Sequence, residues 1–269
     1  MPHSSQSPST AQPTPLAAMS NSIVVALIAN LSMVMLHELG HFLVAYSLGL
    51  NPQLHHNFVY IDPHNVADAQ LLWIAAAGPL GSLLVGGACL SAERQIRQKR
   101  PGTLLLLWMG LHGVLLFLGY LFIAPFFREG DTGKVFALLG LPEWLIILLS
   151  VGSVGVLTRL FIQLSARFSP YGNLGLLAGS RANLLILWPV MANVLAGLLH
   201  LPVSHPVSLL SPLCMPLAFM AMYRPFKRSA AAASVREPTV PLTPLSGWAI
   251  GLLLIVIGLF RWLNYPVHP

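Results

Sequence analysis

The chain has 269 residues, 55% of them hydrophobic and 8% charged, with 14 Lys and Arg against 8 Asp and Glu for a formal net charge of +6. So few charges cannot coat a water-soluble domain, and the composition predicts an all-α, polytopic, integral membrane protein whose helices satisfy their own backbone in the lipid bilayer. The dilute positive balance excludes a nucleic-acid-binding surface and is read instead as asymmetry between the loops on the two sides of a membrane.

Residues 1–22 are rich in Ser, Pro, Thr and Gln and contain no Lys or Arg. That removes the basic region a secretory signal needs, so they are expected to form a disordered tail. Residues 23–269 form the predicted helical membrane domain. Apolar runs of near-spanning length fall at about 23–48, 69–90, 103–127, 144–163, 183–200, 206–223 and 245–263, so the expectation is about seven transmembrane helices, six or eight being the alternatives. The run at 206–223 is interrupted by Pro206, Pro212 and Pro216, which makes it the weakest of the seven and leaves a kinked or re-entrant segment and a straight span equally open.

The first run contains His37-Glu38-Leu39-Gly40-His41, an HExxH pentad. On a helix, residues four apart share a face, so both imidazoles can reach one metal ion while Glu38 flanks the water that the ion binds. Ionisable groups at that depth of an apolar span point to function. At a rise of ~1.5 Å per residue the two histidines lie some 10–16 Å before Leu48, nearer the exit of the span. In the following loop, Phe58-Val59-Tyr60-Ile61 is β-prone and ends at Asp62-Pro63, which leaves two expectations equally open: a short surface strand or hairpin near 56–62 with an edge that an extended peptide could join, or an ordinary loop anchored at the interface by Phe58 and Tyr60. His55, His56 and His64 in this loop are expected to be solvated, and His112 in the third run to be a packed core residue. His200 and His205 carry no legible role. The two cysteines, Cys89 and Cys214, lack ligand spacing and are read as small core residues.

Arg94, Arg97, Lys99 and Arg100 follow the second run, Arg167 and Arg181 the fourth, and Arg224, Lys227, Arg228 and Arg236 the sixth. All fall on one side, which the positive-inside rule makes cytoplasmic, together with the N-terminus. Arg128, Lys134 and Arg261 land opposite.

A catalytic zinc needs a third protein ligand and an open position. The extended HExxHxxGxxH pattern is absent, because Val44 and Ser47 stand where its Gly and last His would be. Apart from Glu38 the acids are Asp62, Asp68, Glu93, Glu129, Asp131, Glu143 and Glu237. Glu93 and Glu237 lie on the basic side and drop out. Asp131 is the first choice, because Pro125 ends the third helix and Gly130 and Gly133 let the chain bend back. Asp62, Asp68, Glu129 and Glu143 stay open as alternatives.

The pentad in an early span, Ala77-Gly78-Pro79-Leu80 in the second, and a Pro- and Gly-flanked Asp131 after the third together resemble the site-2 protease family of intramembrane zinc metalloproteases. The resemblance covers about residues 23–140; the later spans, 144–263, rest on hydrophobicity alone. It implies one Zn2+ per chain held by His37, His41 and Asp131, Glu38 as catalytic base, and a membrane-embedded or membrane-proximal protein as substrate. Two departures stand out: Thr132 follows Asp131 where the family has Gly, and Gly81 and Ser82 occupy the region where it often has Asn. The resemblance also implies a metal nearer the cytosolic face, opposite to the face given by the basic residues. Two other functions fit parts of the pattern. One is a membrane protein of this fold that keeps zinc without cleaving; the other is a di-iron oxygenase or transporter, since His37 and His41 also read HxxxH.

Overall fold

Apolar helix formers run from Leu16 onward behind Pro15, a residue pre-set for the first helical position, and the first helix, α1, spans Pro15–Ser47. In this computed structural model, which describes residues 15–62, 64, 66–171, 178–203, 210–232, 247–265 and 267, the helix therefore begins inside the stretch expected to be a tail. Residues 1–14 lie outside the described part. After a reversal at Gly49, whose φ of 77° suits glycine, the strands β1 (Gln53–Leu54) and β2 (Val59–Tyr60) pair antiparallel, with Gln53 opposite Tyr60 and Leu54 opposite Val59. Of the two expectations for this loop the hairpin is thus the one present, with its turn at 55–58.

Four further stretches are long helices. They are α2 (Asp68–Gln95), α3 (Pro101–Ile123), α5 (Glu143–Ser165, continued as a 3-10 turn to Tyr171), and a composite of α6 (Ala178–Ala182), a π-helical stretch (Asn183–Leu187) and α7 (Trp188–Ala196). Between α3 and α5 lies the short α4 (Asp131–Leu138). With α1, five helices among the described residues are long and apolar enough to cross a membrane, the shortest being the 22 residues Gly179–His200. At ~1.5 Å per residue even that one covers a hydrocarbon core of about 30 Å.

Among the described residues, the other two expected spans do not form helices that are both long and apolar enough to be counted with these. Over the described part of the proline-interrupted run, the backbone is helical only in α8 (Leu210–Cys214), tightens to a 3-10 stretch over Met215–Met222, and resumes as α9 (Tyr223–Ala232). The final helix, α10 (Gly247–Trp262), has 16 residues. The structure is an all-α membrane bundle with five helices of spanning length among the described residues.

Lipid tails are as apolar as the helices themselves, so the bundle is held by close packing more than by water exclusion. Small residues make that possible between α2 and α3. A Cβ on Gly86 would stand 2.9 Å from the Gly113 Cα, and one on Gly113 would overlap the Ser82 carbonyl, so the two backbones touch. Around α3 the core is aromatic: fully buried Trp108 meets Phe168 and Phe219 edge-on at 5.2 and 5.4 Å. His112 packs against Phe219 at 4.8 Å, as expected of a core histidine.

Two polar clusters close the ends. At one, buried Glu93 pairs with Lys99 at 2.6 Å and with Arg167, and the Tyr171 hydroxyl reaches it at 3.1 Å. This joins the loops after α2 and α5, which the basic-residue count had placed together. At the other end, His56 is buried rather than solvated: its Nε2 hydrogen-bonds the His200 carbonyl at 3.0 Å, and both rings lie edge-on to Phe260. His55 stacks on Phe58, and His64 is exposed. His205 lies outside the described residues. Cys89 is buried, whereas Cys214 is exposed and not a core residue.

Candidate metal centre

The site lies where α1, α2 and the turn after α3 meet. The pentad occupies the second half of α1, and His37, Glu38 and His41 are all buried. Gly40, within the pentad, lets α2 come close: a Cβ there would stand 2.9 Å from the Ala77 carbonyl and 3.3 Å from the Gly78 Cα. Gly78 is the reciprocal position. A Cβ on it would stand 2.6 Å from the His41 Cε1 and 2.8 Å from the His37 Nε2, and would overlap the His41 Nε2 outright. Only glycine leaves room there for the two rings.

Asp131 reaches the same point by the bend expected after α3. The chain turns over Ile123–Phe127, and α4 starts at Asp131 with Gly130 as its cap. Gly133 packs so tightly on the turn that a Cβ would stand 2.8 Å from the Arg128 Cα. Neither Gly130 nor Gly133 has a positive φ, so close approach, not an unusual backbone angle, is what these glycines provide.

The three side chains converge. His37 Nε2 and His41 Nε2 are 3.2 Å apart, and the Asp131 Oδ2 is 2.9 Å from the first and 3.4 Å from the second. Four ligands at ~2.0–2.1 Å from a tetrahedral zinc are separated by roughly 3.3 Å, close to these spacings. His37, His41 and Asp131 are, among the described residues, the group whose ligand atoms could hold a metal ion. Of the alternative acids, Asp62 accepts the His64 amide, Asp68 opens α2, and Glu143 faces Arg128 at 3.9 Å on the surface.

Hydrogen bonds on the far side of each ring fix the tautomers. The Ile74 carbonyl can only accept, so the His41 Nδ1–H donates to it at 2.6 Å. The Ser82 hydroxyl donates to the Gly78 carbonyl at 2.9 Å and therefore accepts from the His37 Nδ1–H at 3.0 Å. Both neutral rings thus present the Nε2 lone pair inward, toward each other and toward a carboxylate. Three facing acceptors need a cation between them, either a metal ion or a proton on one Nε2. Burial alone would raise the Asp131 carboxyl pKa, but the neighbouring His41 and His37 outweigh it and hold it well below the usual carboxylate range. The residues therefore fit a divalent ion with N,N,O ligation, and they also fit a metal-free His–Asp ion pair.

Glu38 lies within electrostatic reach of His37, His41 and Asp131, and its carboxylate makes no hydrogen bond among the described residues. Tyr120, near the end of α3, stacks on His37 with ring centroids 5.1 Å apart and planes 16° from parallel. Sequence reasoning missed Tyr120, Ser82 and the Ile74 carbonyl. Only the coincidence of Gly78 with the pentad could have pointed to Ser82, one turn further along α2. A cavity of about 320 Å3 lies beside the third arm, lined by Pro125, Arg128, Gly133 and Glu143 among others. The loop at 49–68 does not line it.

No protein-family model, curated protein or solved structure matches this chain.

Proposed function

We propose that the protein is an intramembrane zinc metalloprotease, similar in its site to the site-2 protease family, which hydrolyses a peptide bond within or next to the membrane. The observation that carries this reading is the meeting of both pentad histidines with Asp131, each Nε2 directed inward by a bond on the other face of its ring. His37, His41 and Asp131 would hold one zinc ion per chain. When bound, zinc acidifies water to a pKa of about 7 and polarises a carbonyl.

The remaining chemistry belongs to the chain. Glu38 has an uncommitted carboxylate beside the three ligands, so it can take a proton from the attacking water and return it to the leaving amine. The buried setting excludes bulk water and keeps that proton local. A substrate helix must unwind before its carbonyl can be attacked, and the outer edge of β2, unpaired among the described residues, offers backbone groups to hold it extended. The N-terminus is placed in the cytoplasm on the basis of the basic loops.

The experiment pairs Glu38→Gln with metal analysis of the purified protein. Cleavage lost while one zinc per chain is retained supports the protease. Processing of its membrane substrate that continues unchanged in Glu38→Gln rejects it. A second reading, the same fold as a non-cleaving regulatory partner, is favoured by the direct 2.9 Å pairing of His37 with Asp131, which satisfies the group without a metal. Wild-type protein that carries no zinc and tolerates Glu38→Gln would establish that reading, and two irons per chain would point to the oxygenase.

A further inference from the structure

Three polar groups close to the metal-binding residues have no hydrogen-bond partner among the described residues: the Glu38 carboxylate, the Thr132 hydroxyl and the Tyr120 hydroxyl. The first is the proposed base. The Thr132 hydroxyl is sealed in the protein interior, whereas Tyr120 is only partly buried. The Ser82 hydroxyl, which also lies at the site, is fully engaged by the Gly78 carbonyl and His37. Tyr120 is therefore the side-chain donor still available to a ligand.

Its placement is specific. Near-parallel stacking on His37 fixes the ring, and the hydroxyl lies within electrostatic reach of both Asp131 and Glu38 while bonding to neither. A phenol in an apolar helix normally finds a partner for its O–H, and one left available beside a metal-binding group is placed to meet a ligand there. We propose that the Tyr120 O–H donates a hydrogen bond to the carbonyl oxygen of an amide-like ligand at the His37, His41 and Asp131 group. In the proteolytic reaction, on which its catalytic role rests, the bond strengthens as that oxygen takes on negative charge, and the proton stays on Tyr120. Donors held where charge develops contribute about 10²–10³ in kcat.

The test uses the full-length protein in detergent, loaded with Co2+, and acetohydroxamate as a carbonyl-bearing probe followed by the visible spectrum. Tyr120→Phe keeps the stacked ring and removes only the donor. The expected result is Co2+ affinity within about 3-fold of wild type, acetohydroxamate affinity lowered about 10-fold or more, and kcat lowered about 10²–10³ at nearly constant KM. Unchanged acetohydroxamate affinity in Tyr120→Phe overturns the proposal. So does loss of Co2+ binding, which would assign Tyr120 to positioning His37. Probe binding that depends on Tyr120 in a protein that cleaves nothing would reject the protease and leave the donor assignment standing. Wild-type protein that binds no Co2+ would remove both.

Discussion

Gly78 of α2 lies against His41 of α1 so closely that any β-carbon on it would occupy the space of the imidazole Nε2. The metal-binding group is therefore shaped by a residue that contributes no ligand. The Gly40 Cα presses on the same stretch of α2, so the helices have no slack to part without moving the pentad.

Gly78→Ala should lower metal affinity by roughly 100-fold or more, at the upper end of what residues supporting a metal site contribute. Elemental analysis and Co2+ titration of the purified variant would measure it. Full zinc occupancy in Gly78→Ala would contradict the close approach.

Ser82→Ala removes the acceptor that holds the Nδ1–H of His37 and frees that ring to rotate or change tautomer. Metal affinity should fall about 10-fold to 100-fold with the helical content unchanged. The check is a competitive chelator titration alongside far-UV circular dichroism, and a variant that binds as tightly as wild type would show the Ser82 contact to be incidental.

Glu93→Ala leaves Lys99 and Arg167 facing each other without the carboxylate that both contact. Breaking a buried ion pair from one side costs about 3–5 kcal/mol, so the variant should melt well below wild type in detergent. Its metal site, at the other end of α2, should load normally at low temperature.

His56 gives a pH dependence. Burial, the largest cause, holds its pKa below the ordinary value; nearby Arg261 acts in the same direction, and the hydrogen bond to the His200 carbonyl opposes them. A depressed folded-state pKa means that the unfolded chain binds the proton more readily. The stabilisation is then complete above the ordinary histidine pKa of about 6.5 and is lost as the pH falls through the folded value. Melting temperature should drop on acidification from pH 7, with hydrogen exchange first rising around residues 53–60 and 261–263. His56→Gln should show a flatter dependence, and an equal slope would assign the effect to another group.

Much of the site was legible because it depends on spacing and scarcity. The i, i+4 histidines lie on one helix face by geometry, and with eight acids in the chain the third arm could be sought by elimination. The β-branched and aromatic run around Val59 left a hairpin and an ordinary loop equally open, and the pairing of Leu54 with Val59 decides for the hairpin. The burial of His56 and His200 was not legible, because it depends on α10 folding back over a loop two hundred residues earlier, and no local pattern encodes that contact. Among the described residues five of the seven expected spans are seen as long apolar helices, and the difference arises where composition and conformation separate. Leu210–Met222 is apolar enough to look like a helix, yet Pro212 and Pro216 each remove a backbone donor, and over Met215–Met222 the chain takes a 3-10 path instead. The coincidence of Gly78 with the pentad was the one sequence signal toward Ser82, and how each supports the pentad became visible only with the crossing of α1 and α2.

Leu54 of β1 also bridges Val267, with backbone hydrogen bonds of 3.0 and 3.1 Å, so a residue beyond α10 lies on the outer side of the hairpin and, among the described residues, leaves β2 as its free margin. During synthesis, the Val267 partner of Leu54 is made only after the described helices from α1 to α10. The loop next to the pentad thus orders fully only once the segment after α10 has docked on it. A contact of such long sequence separation forms slowly and at high entropic cost. Truncations that spare every spanning helix but remove Val267 would leave β1 with an open outer edge.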